Sequence, residues 1–173
     1  MKKAVLVAVI LACASLVGCA SSRLSTLPVS GKVSHPIKAI ALAPDGGLLA
    51  DAVGVELSNK GFTVVDSVAT SKLMVRLNLN EVKVAKPEGL AKLKDQGIDA
   101  FLTVRAAGGY DQQPQSASAR INSTHTGQVI AGISWQNGWG GQAGSIADRT
   151  MRKGLAEAAA EIADALVASI RPN

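Results

Sequence analysis

The residues best suited to chemistry in this chain are its two cysteines, both near the amino terminus. Cys19 follows Leu16-Val17-Gly18 at the end of an apolar run that begins after Lys2 and Lys3. The basic pair and the apolar stretch Ala4–Val17 form an export signal that is too short to span a bilayer, which needs about 20 apolar residues. The small residues just before Cys19 let a peptidase approach the backbone, and the cysteine sulfur can carry a lipid. We therefore expect the mature chain to begin at Cys19.

Two alternatives to this processing site stay open. One is an ordinary secretory signal that happens to contain a cysteine, and the other is lipidation at Cys13, which leaves a shorter apolar segment. The segment ending at Cys19 resembles the bacterial lipobox, whose cysteine carries several acyl chains, palmitate among them. Because the next residue is Ala20 rather than aspartate, the resemblance implies an outer-membrane lipoprotein that is anchored by its lipid and faces the periplasm.

The chain divides by composition into three segments. We predict a signal peptide at 1–18, a lipidated cysteine with a flexible Ser- and Pro-containing tether at 19–36, and a single periplasmic domain at 37–173. Removal of the signal leaves 155 residues, with 16 basic and 13 acidic side chains. Cys13 is removed with the signal and Cys19 would carry the lipid, so we expect no disulfide. Charges are spread along the chain and aromatic residues are scarce, which excludes nucleic acid as a partner.

The hydrophobic pattern predicts an α/β (α+β) domain with a mixed sheet. We expect a β-α-β opening with parallel strands, an antiparallel C-terminal hairpin and a long C-terminal helix. The predicted elements are a strand Ile37–Ala43, a helix capped by Asp45 and ended by Gly61, a strand Phe62–Val65, a helix capped by Thr70 or Ser71, a helix from Pro87 to Lys94, a strand Ala100–Ala106, hairpin strands at 117–122 and 129–135, and a helix from Ile146 to Ile170.

Catalytic patterns are hard to find in the sequence. His35 in the tether and His125 in the hairpin turn have no neighbour that suggests a triad or a metal pair, and zinc spacing and phosphate-loop motifs are missing. Asp45-Gly46-Gly47 could bind an anion or simply cap a helix. The remaining acidic candidates fit solvated surface charges: Asp95, Asp99, Glu157, Glu161 and Asp164. We predict no enzymatic activity, no cofactor and no metal.

The candidates for partner binding are aromatic residues and the glycines around them. Trp135, in phase with the buried side of its strand, is expected to cover the core, whereas Trp139 is expected to contact a partner, a ligand or a membrane surface. Gly138 and Gly140 would give the Trp139 loop its reach. Tyr110 precedes the hairpin, and we expect its loop to lie at the same edge as Trp139.

The order of elements resembles a group of periplasmic proteins that includes CsgG, LpoB and the amino-terminal domain of TolB. The resemblance rests on the strand Ile37–Ala43, Gly61-Phe62-Thr63-Val64-Val65-Asp66, Gly97-Ile98-Asp99-Ala100-Phe101-Leu102, the turn Thr124-His125-Thr126-Gly127-Gln128-Val129 and the terminal helix. It implies a mixed α/β sandwich that works through protein contacts in the cell envelope. The connections are shorter than a CsgG-like pore requires, and the tether is shorter than an LpoB-like arm.

Together these observations predict a lipid-anchored outer-membrane lipoprotein whose non-enzymatic domain binds an envelope protein in assembly, secretion or envelope maintenance. One alternative is a periplasmic module that binds or senses a ligand or glycan. A second alternative is a peptidoglycan-synthase activator of the LpoB type. The sequence also leaves a homo-oligomer open.

Overall fold

A six-stranded sheet in the order β1-β6-β5-β4-β2-β3 forms the centre of the domain. A computed structural model of the chain describes residues 21–27, 33, 35–108, 113–142 and 144–171. The strands are β1 (Ser22–Thr26), β2 (Ala39–Leu42), β3 (Thr63–Val65), β4 (Ala100–Gly108), β5 (Pro114–Ser123) and β6 (Val129–Asn137). The helices are α1 (Gly47–Asn59), α2 (Ser67–Arg76), α3 (Glu81–Val84), α4 (Pro87–Lys94), α5 (Ile146–Met151) and α6 (Leu155–Ile170).

The sheet is mixed, as the sequence predicts. β2 pairs in parallel with β3 and β4, which is the expected β-α-β opening, and β4, β5, β6 and β1 pair antiparallel in turn. β2 shows why its residues form a central strand. Ile40 and Leu42 point to one face, while Ala41 and Ala43 point to the other, and all four are buried.

Helices cover both faces of the sheet. α1 and α6 pack on one face, where Leu57, Ile162 and Leu166 join the larger core with Trp135. α2, α3 and α4 pack on the other face around Phe101 and form a smaller cluster. α3 does not appear among the predicted helices because its single turn is too short to show a period. Within the described ranges, no helix is long and apolar enough to cross a membrane.

Part of the segment predicted as a tether is folded. Ser22–Thr26 forms the edge strand β1, whose partner β6 lies more than a hundred residues later in the chain. Four of its five residues are exposed, so the strand carries little of the apolar alternation that identifies a buried one. Its position comes from main-chain pairing with β6, which the local sequence does not reveal.

The predicted C-terminal helix, from Ile146 to Ile170, is two helices. α5 ends at Met151 and α6 begins at Leu155, with Gly154 in extended conformation as its N-cap. The side chain of Asn137 accepts a hydrogen bond from the Lys153 backbone N–H and donates one to the Lys153 carbonyl, so the break is fixed from β6. The apolar stripe runs through the break at helical spacing and conceals it in the sequence.

Two predicted helix caps are wrong. Asp45 does not cap α1, whose N-cap is Gly46 without a side-chain hydrogen bond, and it forms an ion pair with Arg105 instead. Asp66, rather than Thr70 or Ser71, caps α2 by accepting a hydrogen bond from the Ala69 N–H. Thr70 is buried inside α2.

Candidate functional site

The first described residue is fixed to the end of the domain where β6 finishes. Ser21 donates its backbone N–H to the Met151 carbonyl at 3.2 Å, and Ser22 pairs with Asn137. We call this region, with the Asn137–Gly140 loop and the α5–α6 break, the Ser21 end. Cys19, the predicted lipidation site, lies outside the described residues, two positions before Ser21.

Asn137 organises the Ser21 end through its side-chain amide. Its Nδ2 donates to the Pro114 carbonyl at 2.8 Å and to the Lys153 carbonyl at 2.9 Å. Its Oδ1 accepts from the N–H groups of Gly138 and Lys153. One side chain therefore joins the end of β6, the start of β5 and the helix break, a role that nothing in the sequence pattern indicated.

The two tryptophans have opposite environments. Trp135 is fully buried in the core, where its ring covers the sheet as expected, whereas the side chain of Trp139 is 76 % exposed. Gly138 lies between Ser21 and the end of α5, since a Cβ there would lie 2.5 Å from the Ser21 carbonyl oxygen and 2.7 Å from that of Met151. Gly140 approaches the α5 backbone at Ala147 equally closely. Both glycines serve close packing in the structure, whereas the sequence suggested loop reach.

Tyr110 lies outside the described residues. The residues that flank its loop, Gly108 and Pro114, lie at the ends of β4 and β5, and Pro114 is bonded to Asn137. The expectation that Tyr110 lies near Trp139 stays a prediction.

Glu161 is the centre of a polar cluster behind this loop. Its Oε2 accepts hydrogen bonds from Trp135 Nε1 at 2.7 Å and from Ser22 Oγ at 2.6 Å, and its Oε1 pairs with Lys153. Burial acts to raise the pKa of Glu161, but the hydrogen bonds and the Lys153 ammonium outweigh it and hold the pKa below its usual range. The sequence interpretation of Glu161 as a solvated charge is wrong.

A second ion pair is buried in α5 and the break that follows. Asp148 accepts a hydrogen bond from Arg152 Nε at 3.0 Å, and these side chains are 1 % and 6 % exposed. A hydrogen bond from the Gly144 N–H lowers the pKa of Asp148, and the Arg152 guanidinium acts in the same direction. Burial acts to raise this pKa but is outweighed. Arg152 Nη1 is also buried and has no hydrogen-bond partner in the described part of the chain.

An open cavity of about 850 Å³ lies at the Ser21 end. Most of its lining residues are polar, and they come from β1, β5, β6, the Trp139 loop and the helix break. The lining residues are Ser21, Ser22, Arg23, Gln115, Gln136, Asn137, Gly138, Trp139 and Arg152. Two arginines and no acidic residue line it, which suits an anionic group.

The two histidines, which the sequence left without partners, meet on another part of the surface. The rings of His35 and His125 lie 4.6 Å apart between centroids, and His125 Nε2 lies 3.4 Å from Asp99 Oδ1. Asp99 Oδ2 accepts the backbone N–H groups of Lys38 and Ala39. Partial burial opposes the shift, but these hydrogen bonds and His125 lower the pKa of Asp99. The carboxylate fixes the start of β2 rather than facing solvent.

The described ranges contain no group of three metal-ligating side chains arranged to hold an ion. The Asp45-Gly46-Gly47 segment, the other anion candidate, lines a separate cavity of about 550 Å³ in which Asp45 pairs with Arg105 at 3.3 Å. An acidic side chain therefore occupies the place where an anion would have to bind.

A surface that the sequence analysis missed lies beside the edge strand β3. Val55 on α1 and Val68 on α2 are both exposed and line a groove of about 370 Å³ between the two helices. Val75 and Val82 add further exposed apolar surface on α2 and α3. The sequence signal that could have indicated this surface is an apolar side chain on the otherwise polar face of a helix.

Comparison with known proteins identifies structural likenesses only. Neither a protein-family model nor a curated protein matches the chain. Similar solved structures include the PelC dodecamer from Paraburkholderia phytofirmans, with 15% identity over 88% of this chain and 100% of that one, at a TM-score of 0.48. They also include lipoprotein GNA1162 from Neisseria meningitidis, with 18% identity over 62% of this chain and 86% of that one, at a TM-score of 0.45.

The LpoB C-terminal domain from Salmonella enterica is a third such structure. It is 18% identical over 60% of this chain and 86% of that one, at a TM-score of 0.42. One member of the group that the sequence resembles is thus among the similar structures, while the resemblance to CsgG, to TolB and to the lipobox stays a prediction. Likenesses at this level assign no function, so the function must be argued from the chain's own residues.

Proposed function

We propose that this chain is a lipid-anchored outer-membrane lipoprotein whose periplasmic domain binds a protein of the cell envelope and catalyses no reaction. The observation that carries the proposal is the attachment of Ser21 to the domain through Met151 and β1. Only Ala20 lies between Cys19 and Ser21, so the Cα atoms of these two residues are at most about 7 Å apart. A lipid on Cys19 would therefore hold the Ser21 end directly at the membrane.

The exposed groups of the Ser21 end suit that position. The side chains of Trp139 and Ile146 are 76 % and 83 % exposed, and Arg23 is exposed and lines the same cavity as Trp139. Tryptophan and arginine are side chains that favour the boundary between water and lipid headgroups. Trp139 is thus proposed as a membrane contact that orients the anchored domain.

The proposed partner surface is the valine groove between α1 and α2. It borders β3, the sheet edge opposite β1, and five inter-strand steps separate the two edges by about 24 Å. A domain held at its β1 edge keeps this groove clear of its own anchor. Exposed apolar side chains grouped around an unpaired strand edge are typical of protein contact surfaces.

The short free segment limits the partner's location. Because β1 belongs to the sheet and Ser21 is bonded to Met151, only Ala20 separates a lipidated Cys19 from the folded domain. The partner must therefore reach the outer membrane itself. This restriction also applies to the narrower proposal, activation of a peptidoglycan synthase in the manner of LpoB.

Two measurements test the proposal. Mass spectrometry of the mature amino terminus is expected to find a lipidated Cys19, and an unmodified terminus at another residue would contradict the anchor. A photo-crosslinking residue placed at Val55 or Val68 in intact cells is expected to give one adduct of defined mass. The matched site is Gln128, which is exposed on the hairpin turn.

The adduct should be absent at Gln128 and should weaken when Cys19→Ala releases the domain from the membrane. Equal adducts at all three sites, or none at Val55 and Val68, would contradict the groove as the partner surface. A ligand-binding role is the second candidate, and the arginine-lined cavity at the Ser21 end favours it.

A further inference from the structure

Arg152 has hydrogen-bonding capacity that the fold does not use. A guanidinium carries five N–H donors in a planar fork. Asp148 takes the Nε donor, while the buried Nη1 has no partner among the described residues. Leaving a buried charged donor unsatisfied is unfavourable, so such a group is expected to meet an acceptor that arrives from outside the chain.

The surroundings of Arg152 favour an anion. Arg152 lines the cavity together with Arg23, which is exposed and makes no ion pair in the described ranges. Asp148 balances one of the two positive charges, and the second remains. Gln115 and Gln136 supply neutral donors around the same space, and Trp139 supplies an apolar wall.

We infer that this cavity binds a phosphate group, with Arg152 and Arg23 donating hydrogen bonds to its oxygens and the Trp139 ring contacting the organic part of the ligand. Arginine forks match the geometry of phosphate oxygens. The choice of phosphate over carboxylate rests on the proposed anchoring, which places the cavity beside lipid headgroups. The phosphate has two sources: a phospholipid headgroup of the anchoring membrane or a soluble phosphate compound.

The test measures binding to the full chain, purified in a neutral detergent, by calorimetry. The probes are short-chain phosphatidylglycerol, the matching diacylglycerol without phosphate, inorganic phosphate and glucuronate. Binding of the phosphatidylglycerol without binding of the diacylglycerol is expected. If inorganic phosphate binds as tightly as phosphatidylglycerol, the source of the phosphate is a soluble compound. If phosphatidylglycerol binds and inorganic phosphate does not, the source is the lipid headgroup.

Three variants make the assignment specific. Arg152→Lys keeps a cation for Asp148 but removes the fork, and a loss of about tenfold in phosphate-probe affinity is expected from one charge-assisted hydrogen bond. Arg23→Gln should weaken the same probe and does not disturb the buried pair. Arg149→Gln is the matched control, because this exposed arginine on α5 lies outside the cavity lining.

Three results would overturn the inference: no binding of either phosphate probe, tighter binding of glucuronate than of phosphate, or equal losses in Arg149→Gln and Arg23→Gln. If Arg152→Lys does not fold, Arg23→Gln decides the outcome. Failure of the anchoring proposal is seen separately, since an unlipidated Cys19 in the mass spectrum does not alter phosphate binding in detergent.

Discussion

The indole Nε1 of Trp135 donates a 2.7 Å hydrogen bond to Glu161 Oε2, and the same oxygen accepts from Ser22. Trp135 belongs to β6, Glu161 to α6 and Ser22 to β1, so one carboxylate joins the core tryptophan, the last helix and the strand nearest the predicted lipid. Lys153, in the helix break, supplies the balancing charge. The position of the anchor strand is therefore coupled to the packing of the core.

The first prediction concerns removal of that carboxylate. Glu161→Ala leaves the Trp135 indole N–H buried without an acceptor, so the free energy of unfolding should fall by about 2 kcal/mol. Urea unfolding followed by circular dichroism measures this change. Hydrogen exchange should also speed up in β1, because the Ser22 hydroxyl loses its partner.

Asp164→Ala is the matched control on the same helix. Asp164 pairs with Lys60 at 2.5 Å but is largely exposed, and a pair of this kind contributes less than about 1 kcal/mol. If Asp164→Ala lowers the free energy of unfolding as much as Glu161→Ala does, the Glu161 cluster contributes no more stability than an exposed ion pair. Unchanged exchange in β1 would argue against the coupling.

A second prediction concerns acid. The pKa values of Glu161, Asp148 and Asp99 are all lowered by folding. A lowered pKa in the folded state means that the native state favours the carboxylate. The stability that each group contributes is therefore complete above its ordinary pKa, and it is lost as the pH falls through its folded-state pKa. The urea midpoint should therefore be steady near neutrality and decrease as the pH drops below about 4.5, the ordinary value for glutamate.

Glu161→Gln measures how much of the decrease in the urea midpoint at low pH comes from the Glu161 carboxylate. The amide keeps an acceptor oxygen for Trp135 but does not titrate, so its midpoint should be lower at neutral pH and decline less steeply in acid than the unsubstituted chain. Asp164→Asn should retain the original slope. Parallel curves for all three proteins would refute the role of Glu161.

The elements that could be predicted from the sequence are those whose signal is local. The alternation in β5 and β6 and the first-turn Pro87 of α4 both correspond to observed elements. β1 could not be predicted because its partner lies far along the chain. The break at Gly154 was concealed because Met151 and Leu155 continue the helical apolar spacing.

The candidate site was predictable only in its exposed part. Trp139 stands out by composition, whereas Glu161 shares helical spacing with Glu157 and Asp164 and looks like one more surface acid. Its hydrogen bond with Trp135 joins two elements that meet only in the folded chain. Arg152 was likewise hidden, because its i,i+4 spacing from Asp148 also fits an ordinary surface pair.

The third prediction tests close packing at the Ser21 end. Gly138→Ala places a methyl group 2.5 Å from the Ser21 carbonyl oxygen and 2.7 Å from that of Met151, so the backbone must shift. A loss of about 1–3 kcal/mol in the free energy of unfolding is expected from such overpacking. Gly108→Ala is the control, because its added methyl has no atom within 4 Å apart from those of its own residue and its chain neighbours. Equal melting temperatures for the two variants would contradict the packing role.

The last prediction separates the two tryptophans. Trp139→Ala should change the free energy of unfolding by less than about 0.5 kcal/mol, because its side chain is mostly exposed. Its expected effect is on membrane contact, and the chain's two tryptophans allow this to be read by fluorescence. In vesicles that carry the full lipoprotein and lipids brominated near the headgroup, Trp139 emission should be quenched, whereas the buried Trp135 should not.

The Trp139→Ala protein is the reference for this measurement, because all of its tryptophan emission comes from Trp135. That emission should be insensitive to the brominated lipid, while the unsubstituted protein loses a substantial part of its signal. Equal fractional quenching in both proteins, or none in either, would exclude Trp139 as a membrane contact. In that case the exposed indole would be available to a protein partner, and adducts from a photo-crosslinking residue at position 139 in cells would contain protein rather than lipid.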